Sequence, residues 1–170
     1  VCTIHHIDFD KFNDKEKKEF YKRDKYVDYY HTVSAKSREQ IQTLTDKKIF
    51  QIPFWINQHK FFELKDKVQI REELNIPLDS YVVGSFQRDT EGSDLKSPKL
   101  SKGPDRFLEI TRDMKKSKKN LTIILTGKRR NYLIENFEKE NIDYKYFEMV
   151  DFQTLNKLYN ILDLYVITSR

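Results

Sequence analysis

Residues 81–110 read YVVGSFQRDTEGSDLKSPKLSKGPDRFLEI. The first six letters form an apolar strand and KGPDRFLEI opens an amphipathic helix, so a long polar loop joins the two. A strand that enters a glycine-containing loop and then a helix presents free backbone N–H groups, and the helix dipole adds positive potential. Arg88 and Lys102 stand at the two ends of this loop. We therefore predict an anion site here, with a phosphorylated ligand held by the two cations.

The same alternation of strand and helix extends in both directions along the chain. Apolar, strand-like runs fall at residues 1–5, 26–33, 48–52, 81–86, 121–126, 144–147 and 164–168. Amphipathic helical patterns lie between them, at residues 14–25, 35–45, 66–74, 104–116, 130–140 and 152–162. Strict alternation with continuous apolar strands is typical of parallel sheets covered on both faces. We predict an α/β fold of doubly wound parallel sheets.

The segment PFWINQHK, residues 53–60, interrupts this alternation after the third strand. Two Rossmann-like sheets in series are the simplest interpretation. Residues 1–56 would then be the last part of one domain, residues 57–78 a crossing with a helix, and residues 79–170 a second domain. Because the chain begins inside an apolar run and stops directly after LYVITSR, we expect a fragment in which both sheets are incomplete.

Composition limits the class of protein. The 170 residues are 38% hydrophobic and include 12 Phe and 10 Tyr, enough apolar surface for a globular core. The apolar runs fall far short of the roughly 20 residues of a membrane helix, and the amino terminus lacks the layout of a signal peptide. The single cysteine, Cys2, cannot form an internal disulfide, which is compatible with a reducing compartment. These features predict a soluble, cytoplasmic protein.

The net charge of +5 arises from 32 basic and 27 acidic residues that are interleaved along most of the chain. Interleaved charges favour solvated helix faces over a continuous stripe that follows nucleic-acid phosphates, so we predict no nucleic-acid partner. A basic surface is still attracted to anionic lipid headgroups. Peripheral contact with the inner face of a membrane stays open.

Four ordered segments together resemble a known family. They are VVGSFQR at 82–88, SKGPDRFLEI at 101–110, LTIILTGK at 121–128 and LYNILDLYVITSR at 158–170. This order resembles the carboxy-terminal, donor-binding half of GT-B glycosyltransferases of the GT4 type (glycosyl transferase group 1). Upstream, YVDYYHTVSAKSREQI at 26–41 and IFQIPFWINQHKFF at 49–62 resemble the end of the family's acceptor domain and its interdomain crossing. The resemblance covers nearly the whole chain.

The resemblance implies a donor site for a nucleoside-diphosphate sugar. Arg88 and Lys102 would clamp the diphosphate, and departure of that group would be helped by preorganised cations. The glycines Gly84, Gly103 and Gly127 would let the backbone approach the nucleotide. Met149 and Val150 lie in the segment that would contact the base through backbone groups. The alternatives are that Arg88 and Lys102 are solvated loop charges and that Gly127 only makes a tight turn.

The resemblance also places His5 and His6 near the reaction centre of the acceptor domain. Imidazole both donates and accepts hydrogen bonds, so either ring could bind sugar hydroxyls, although strand-end histidines more often have a structural role. We predict no bound metal and no cofactor, since the family usually works without them and the donor is itself a substrate. The partners are then the sugar nucleotide and an acceptor whose chemistry the sequence does not define.

The predicted activity is transfer of a sugar from a nucleoside diphosphate to an acceptor hydroxyl in the full-length protein, with the fragment alone inactive. Retention of anomeric configuration is implied by the resemblance alone. Two alternatives remain open: a GT-B sugar-nucleotide epimerase, and a non-catalytic α/β module that binds a nucleotide or a partner. A nucleic-acid binder would differ from all three in its steep salt dependence.

Overall fold

The computed structural model describes residues 1–118 and 120–170. The chain forms two compact units, Val1–Ile56 and Asn57–Arg170. Residues 57–78, which we interpreted as a crossing segment, are part of the second unit. The functional assignment of the two units stays a prediction.

The first unit is a three-stranded parallel sheet with the order β1-β2-β3. Its elements are β1 (Cys2–Ile4), α1 (Asp14–Asp24), β2 (Tyr30–Thr32), α2 (Ala35–Gln42) and β3 (Ile49–Gln51). Asn13 caps α1 and Ser34 caps α2, each by accepting hydrogen bonds from backbone N–H groups of the first turn. Tyr30 on the central strand and Ile41 on α2 are the buried apolar side chains of this unit.

The second unit contains a four-stranded parallel sheet with the order β8-β7-β4-β9. Its strands are β4 (Tyr81–Ser85), β7 (Leu121–Thr126), β8 (Tyr144–Phe147) and β9 (Leu164–Tyr165). Its helices are α3 (Lys67–Glu73), α4 (Pro104–Ser117), α5 (Asn131–Lys139) and α6 (Phe152–Ile161). Pro104 starts α4, a position where its missing N–H breaks no helical bond.

Helices cover both faces of this sheet because neighbouring residues of a strand point to opposite sides. Val83 and Ile123 pack in one cluster with side chains of α4 and α5, such as Phe107 and Phe137. Val82, the residue before Val83 in β4, and Ile124, the residue after Ile123 in β7, pack in a second cluster with α3 and α6. The buried members of this cluster are Ile70, Ile76, Val82, Ile124, Leu158 and Ile161. The result is the doubly wound architecture that continuous apolar strands predict.

The structure differs from the sequence-based expectation in the loop after β4. The sequence predicts a polar loop from residue 89 to residue 101, but Asp89 and Thr90 are buried. The loop contains a short antiparallel pair, β5 (Thr90–Glu91) with β6 (Ser97–Pro98), followed by a 3-10 turn at Leu100–Lys102. Backbone pairing and burial at its base give this loop a defined path.

Candidate functional site

The candidate donor site lies at the carboxyl edge of the second sheet. From β4 the chain adds β7 and then β8 on one side of the sheet, and it then crosses back to place β9 on the other side of β4. The order of winding therefore reverses between β4 and β9. Open α/β sheets bind ligands at such a topological switch point, outside the carboxyl ends of the strands. The two segments that leave this point are the long loop after β4 and residues 166–170 after β9.

Both ends of the long loop contact the segment after β9. At the near end, the side chain of Gln87 hydrogen-bonds the hydroxyl of Ser169 at 2.8 Å. At the far end, the hydroxyl of Thr168 donates to the backbone carbonyl of Lys102 at 3.0 Å. Gln87, the residue directly before Arg88, and Lys102 thus both contact the short stretch 168–169 that follows β9.

The side chains of Arg88 and Lys102 are both exposed. Within residues 1–118 and 120–170, neither the Arg88 guanidinium nor the Lys102 ammonium group makes a hydrogen bond or an ion pair. By contrast, Lys99 in the same loop forms an ion pair, with its Nζ 3.4 Å from Oε2 of Glu91. Arg88 and Lys102 are therefore available to an anion at this edge of the sheet.

The backbone N–H groups of the loop contribute less than the sequence predicts. The amides of Lys102 and Gly103 donate within the 3-10 turn, to Lys99 at 2.8 Å and to Leu100 at 2.9 Å. At the start of α4 the Asp105 carboxylate accepts hydrogen bonds from Arg170, and these bonds hold the pKa of Asp105 below its usual value. The cationic side chains, more than free amides, thus supply the positive charge of this site.

A buried ion pair lies at the base of the loop. The Arg130 and Asp89 side chains are 0% and 3% exposed, and Nε of Arg130 lies 3.0 Å from Oδ2 of Asp89. The N–H direction is not aligned for a hydrogen bond, so this contact is an ion pair, while Arg130 also donates to Ser85 Oγ at 3.3 Å. Burial raises the pKa of the Asp89 carboxyl and lowers the pKa of the Arg130 guanidinium, and their mutual attraction opposes both shifts.

The three glycines of the predicted donor site have different surroundings. At Gly84, near the end of β4, a Cβ would overlap the flexible side chain of Leu162, which would have to move to make room for it. At Gly103, with φ 63°, a Cβ would overlap the backbone carbonyl of Thr168. Gly127 has φ 89° at the end of β7, and a Cβ there would meet nothing nearer than the Phe86 carbonyl oxygen at 3.9 Å. The ligand contacts predicted for these glycines stay predictions.

Met149 and Val150 lie in the turn between β8 and α6. Met149 is 70% exposed, whereas Val150 is half-buried and packs against the cluster beneath α3 and α6. The turn ends at Asp151, whose carboxylate caps α6 by accepting from the Thr154 amide at 2.7 Å. At the carboxyl edge of the sheet, this turn therefore presents the exposed side chains of Glu148 and Met149, while Val150 is held by the apolar cluster.

The first unit brings His5 and His6 into one open cavity of about 610 Å³ at the carboxyl edge of its sheet. Both rings are exposed; the cavity is also lined by Asp8, Asp10 and Lys36, among others. The loop that carries the histidines is fixed: the Ser37 hydroxyl donates to the His5 carbonyl at 2.6 Å.

The amide of Gln40 secures the same loop two residues further on. Its oxygen accepts from the Ile7 N–H at 3.2 Å, and its nitrogen donates to the Ile7 carbonyl at 2.7 Å. Among the described residues, no three His, Cys, Asp or Glu side chains are grouped as a metal site would require. What this cavity offers a ligand is a set of hydrogen-bonding side chains of both charges.

No protein-family model matches the sequence, and no curated protein sequence matches it. Solved structures match it by shape. Sucrose-phosphate synthase from Thermosynechococcus elongatus aligns with a TM-score of 0.69 at 15% identity, over 98% of this chain and 43% of that one. HepE from Anabaena, solved in complex with UDP and glucose, aligns with a TM-score of 0.68 at 16% identity, over 99% and 46%. A glycosyltransferase from Rickettsia africae aligns with a TM-score of 0.64 at 15% identity, over 98% and 44%.

The fold is GT-B-like. This confirms the predicted fold class and, at the level of fold, the resemblance to GT-B glycosyltransferases. The chain spans less than half the length of each of these three proteins. None of its described helices is long and apolar enough to cross a membrane.

Sequence reasoning missed two buried charged residues of the second unit, Asp89 and Arg130. Asp89 falls in the predicted polar loop and Arg130 at the start of a predicted amphipathic helix, and charged residues in such positions are usually exposed. Nothing in their spacing of 41 positions marks them as partners. Their pairing depends on the tertiary fold, which brings the loop after β4 over the beginning of α5.

Proposed function

We propose that this chain supplies the donor-binding half of a glycosyltransferase, an enzyme that moves a sugar from a nucleoside diphosphate to an acceptor hydroxyl. The observation that carries the proposal is the pair of exposed cations, Arg88 and Lys102, near the switch point of the second sheet; neither side chain has a partner among the described residues. The GT-B-like fold supports it, since all three neighbours described above are enzymes named for sugar chemistry or hold a sugar and UDP.

The chemistry needs cations at this position. When the sugar leaves, negative charge builds on the diphosphate oxygen that bridged the two groups. Fixed positive side chains stabilise this charge more in the transition state than in the ground state, and therefore raise the rate. Arg88 can offer two parallel N–H groups to a phosphate, and Lys102 acts as a compact point charge.

We assign the finer features of the enzyme on the same basis. GT4-type chemistry with retention would let the acceptor attack from the face that the diphosphate leaves, without a protein nucleophile. No cofactor or metal is needed, because the cations of the chain take the charge of the leaving group. His5 and His6, which line the cavity of the first unit, would bind sugar or acceptor hydroxyls. The net charge of +5 suits a cytoplasmic enzyme that contacts an anionic membrane peripherally.

The deciding experiment is calorimetric titration of the full-length protein with UDP and with GDP. Three proteins are compared: the native protein, the Arg88→Ala variant and the Lys102→Ala variant. UDP comes first because the HepE structure contains it. We expect one of the two nucleotides to bind, and each substitution to weaken binding by about 1–3 kcal/mol, the scale of a lost charge-assisted contact. Absence of binding, or binding indifferent to both substitutions, contradicts the proposal.

A product assay then separates transfer from the alternatives. Incubation with a sugar nucleotide should yield a glycosylated acceptor, and His5→Ala or His6→Ala should lower turnover while leaving UDP affinity unchanged. Conversion of the donor to its epimer without any acceptor would assign an epimerase, and binding without a product would assign a non-catalytic module. A steep linear fall of affinity with the logarithm of salt concentration on polynucleotides would instead indicate a nucleic-acid binder.

A further inference from the structure

The buried pair Asp89–Arg130 has no role in the chemistry proposed above, and stability alone does not explain it. Both side chains are almost fully enclosed, at 3% and 0% exposure. Removing two charges from water is expensive, and apolar residues of similar volume often stabilise a fold at least as well as a buried ion pair. Arg130 is also incompletely satisfied: within the described part of the chain, its Nη1 atom has no hydrogen-bond partner. We therefore look for the role of this pair in the placement of the loop after β4, not in the stability of the fold.

Three segments of the chain meet at Asp89. Its amide donates to the Arg129 carbonyl at 3.2 Å, and the next amide, that of Thr90, donates to the same oxygen at 3.1 Å. Its own carbonyl accepts from the Lys99 amide at 2.7 Å. The end of β4, the returning end of the loop and the start of α5 are therefore joined at one residue.

The side chains extend the same junction. The Thr90 hydroxyl donates to Asp89 Oδ1 at 2.6 Å and accepts from the Tyr132 amide at 2.9 Å, in the first turn of α5. Arg130 holds the N-cap position of that helix without making a side-chain cap itself. The loop after β4 thus supplies the cap of α5, and the Asp89–Arg130 pair fixes the loop against the helix.

We infer that Asp89 and Arg130 form a positioning pair, which holds both ends of the loop so that Arg88 and Lys102 face a common diphosphate. Arg88 is the residue before Asp89, and Lys102 stands three residues after Lys99, whose amide is bonded to Asp89. A loop of this length that had to become ordered on binding would lose affinity to conformational entropy. Because both members are buried, they act through the loop and do not touch the ligand.

The test is a double-mutant cycle in the full-length protein, with UDP and GDP as probes. Asp89→Asn should weaken nucleotide affinity roughly tenfold, the scale of misaligning one charge-assisted contact. In the Arg88→Ala/Lys102→Ala background the same substitution should have no further effect, because the cations that it positions are gone. A pair with a merely structural role would lower affinity equally in both backgrounds.

Two further variants keep the test decisive. Asp89→Asn leaves the buried Arg130 without its charged partner, so the single variant could fail to fold. In that case the double variant Asp89→Asn/Arg130→Met, which removes both charges, takes its place in the cycle. Asp163→Asn is the matched control: Asp163 pairs with Arg71 at 2.9 Å in the same unit, but beside the first residues of β4. It should leave nucleotide affinity unchanged.

The outcomes separate this inference from the function on which it rests. If Arg88→Ala and Lys102→Ala weaken binding but Asp89→Asn and the double variant do not, the positioning role is wrong and the proposed donor site stands. An equal loss in the presence and absence of the two cations also overturns the positioning role. If the native protein binds neither UDP nor GDP, the donor site and the positioning pair fall together.

Discussion

Gly103 and the carbonyl group of Thr168 lie so close together that a Cβ on Gly103 would overlap the carbonyl oxygen. Gly103 also has φ 63° and ψ 42°, directly before the first residue of α4. The hydroxyl of Thr168 returns a hydrogen bond to the carbonyl of the preceding residue, Lys102. The segment after β9 is therefore seated on the loop that carries Lys102, at a point where only glycine fits.

Replacing Gly103 by alanine should destabilise the protein more than replacing Gly127. Both glycines have positive φ, so each alanine variant loses about 1–2 kcal/mol from the left-handed backbone. Gly103→Ala adds an overlap with backbone that cannot rotate away, for a further ~1–3 kcal/mol. Denaturant unfolding of both variants measures the difference, and equal losses would show that the segment after β9 moves aside freely.

The sequence predicted the elements of this fold closely because their signals are local. The strand at 121–126 has the predicted bounds, and the helix beginning at Pro104 starts where the proline indicates. The first unit was less exact: β2 covers Tyr30–Thr32, although the apolar and aromatic run began four residues earlier. Tyr26 and Tyr29 are 89% and 46% exposed, so aromatic composition alone overstated the strand.

Charged residues next to a strand end could be named as candidate site residues from the sequence, whereas contacts between residues distant in sequence could not; the ligand role of the named residues stays a prediction. Arg88 and Lys102 could be named from the order of strand, loop and helix. Asp89 could not, because its burial depends on contacts with α5, 41 positions away at Arg130. The ligand role of Gly84, which the family resemblance implies, stays a prediction; the structure adds that Leu162 fills the space beside it. A sequence shows that a side chain is absent but not what occupies the space.

Removing the carboxylate of Asp163 should expose how the start of β4 is held. Its Oδ2 accepts from the buried Val82 amide at 2.7 Å and from Arg71 at 2.9 Å. Asp163→Ala leaves that amide without a partner, so we expect a loss of about 1–3 kcal/mol in unfolding free energy. Asp163→Asn retains an acceptor for the amide and should lose less, which thermal or urea unfolding of the two variants will show. Equal losses would assign the effect to charge alone.

The Arg112–Glu140 pair should make a pH-dependent contribution to stability. Hydrogen bonding from Arg112 lowers the pKa of Glu140 below its usual 4.5. A lowered folded-state pKa stabilises the fold above the unfolded-state value, and this stabilisation is lost as the pH falls through the folded-state pKa. Since both side chains are partly exposed, Glu140→Gln should cost only about 0.2–1 kcal/mol at pH 7, and the difference from the native protein should vanish in acid.

Urea unfolding at pH 7, 5 and 3 measures this contribution. Glu135→Gln, an exposed position on the same helix, is the control for changing one acidic charge without the Arg112 contact. A difference between native protein and Glu140→Gln that persisted at pH 3 would mean that packing of the side chain, rather than its charge, is what stabilises this end of α5.

Gly84 offers a direct choice between packing and ligand binding. A Cβ at this position would overlap the side chain of Leu162, which is a flexible group. Gly84→Ala should therefore force Leu162 to move, at a cost of about 0.5–1.5 kcal/mol if the leucine has to leave its preferred rotamer. Shortening the neighbour in Gly84→Ala/Leu162→Val should recover most of that loss, because the two changes act on the same space.

Nucleotide affinity then decides the role of this glycine. If Gly84 is required by packing alone, the repacked double variant should bind UDP or GDP as the native protein does, although it carries a side chain near the end of β4. If the double variant regains its stability but not its affinity, the backbone of β4 must approach the ligand as closely as the family resemblance implies. Because Gly84 is buried and pairs in register with Ile124 and Tyr165, we expect the first result.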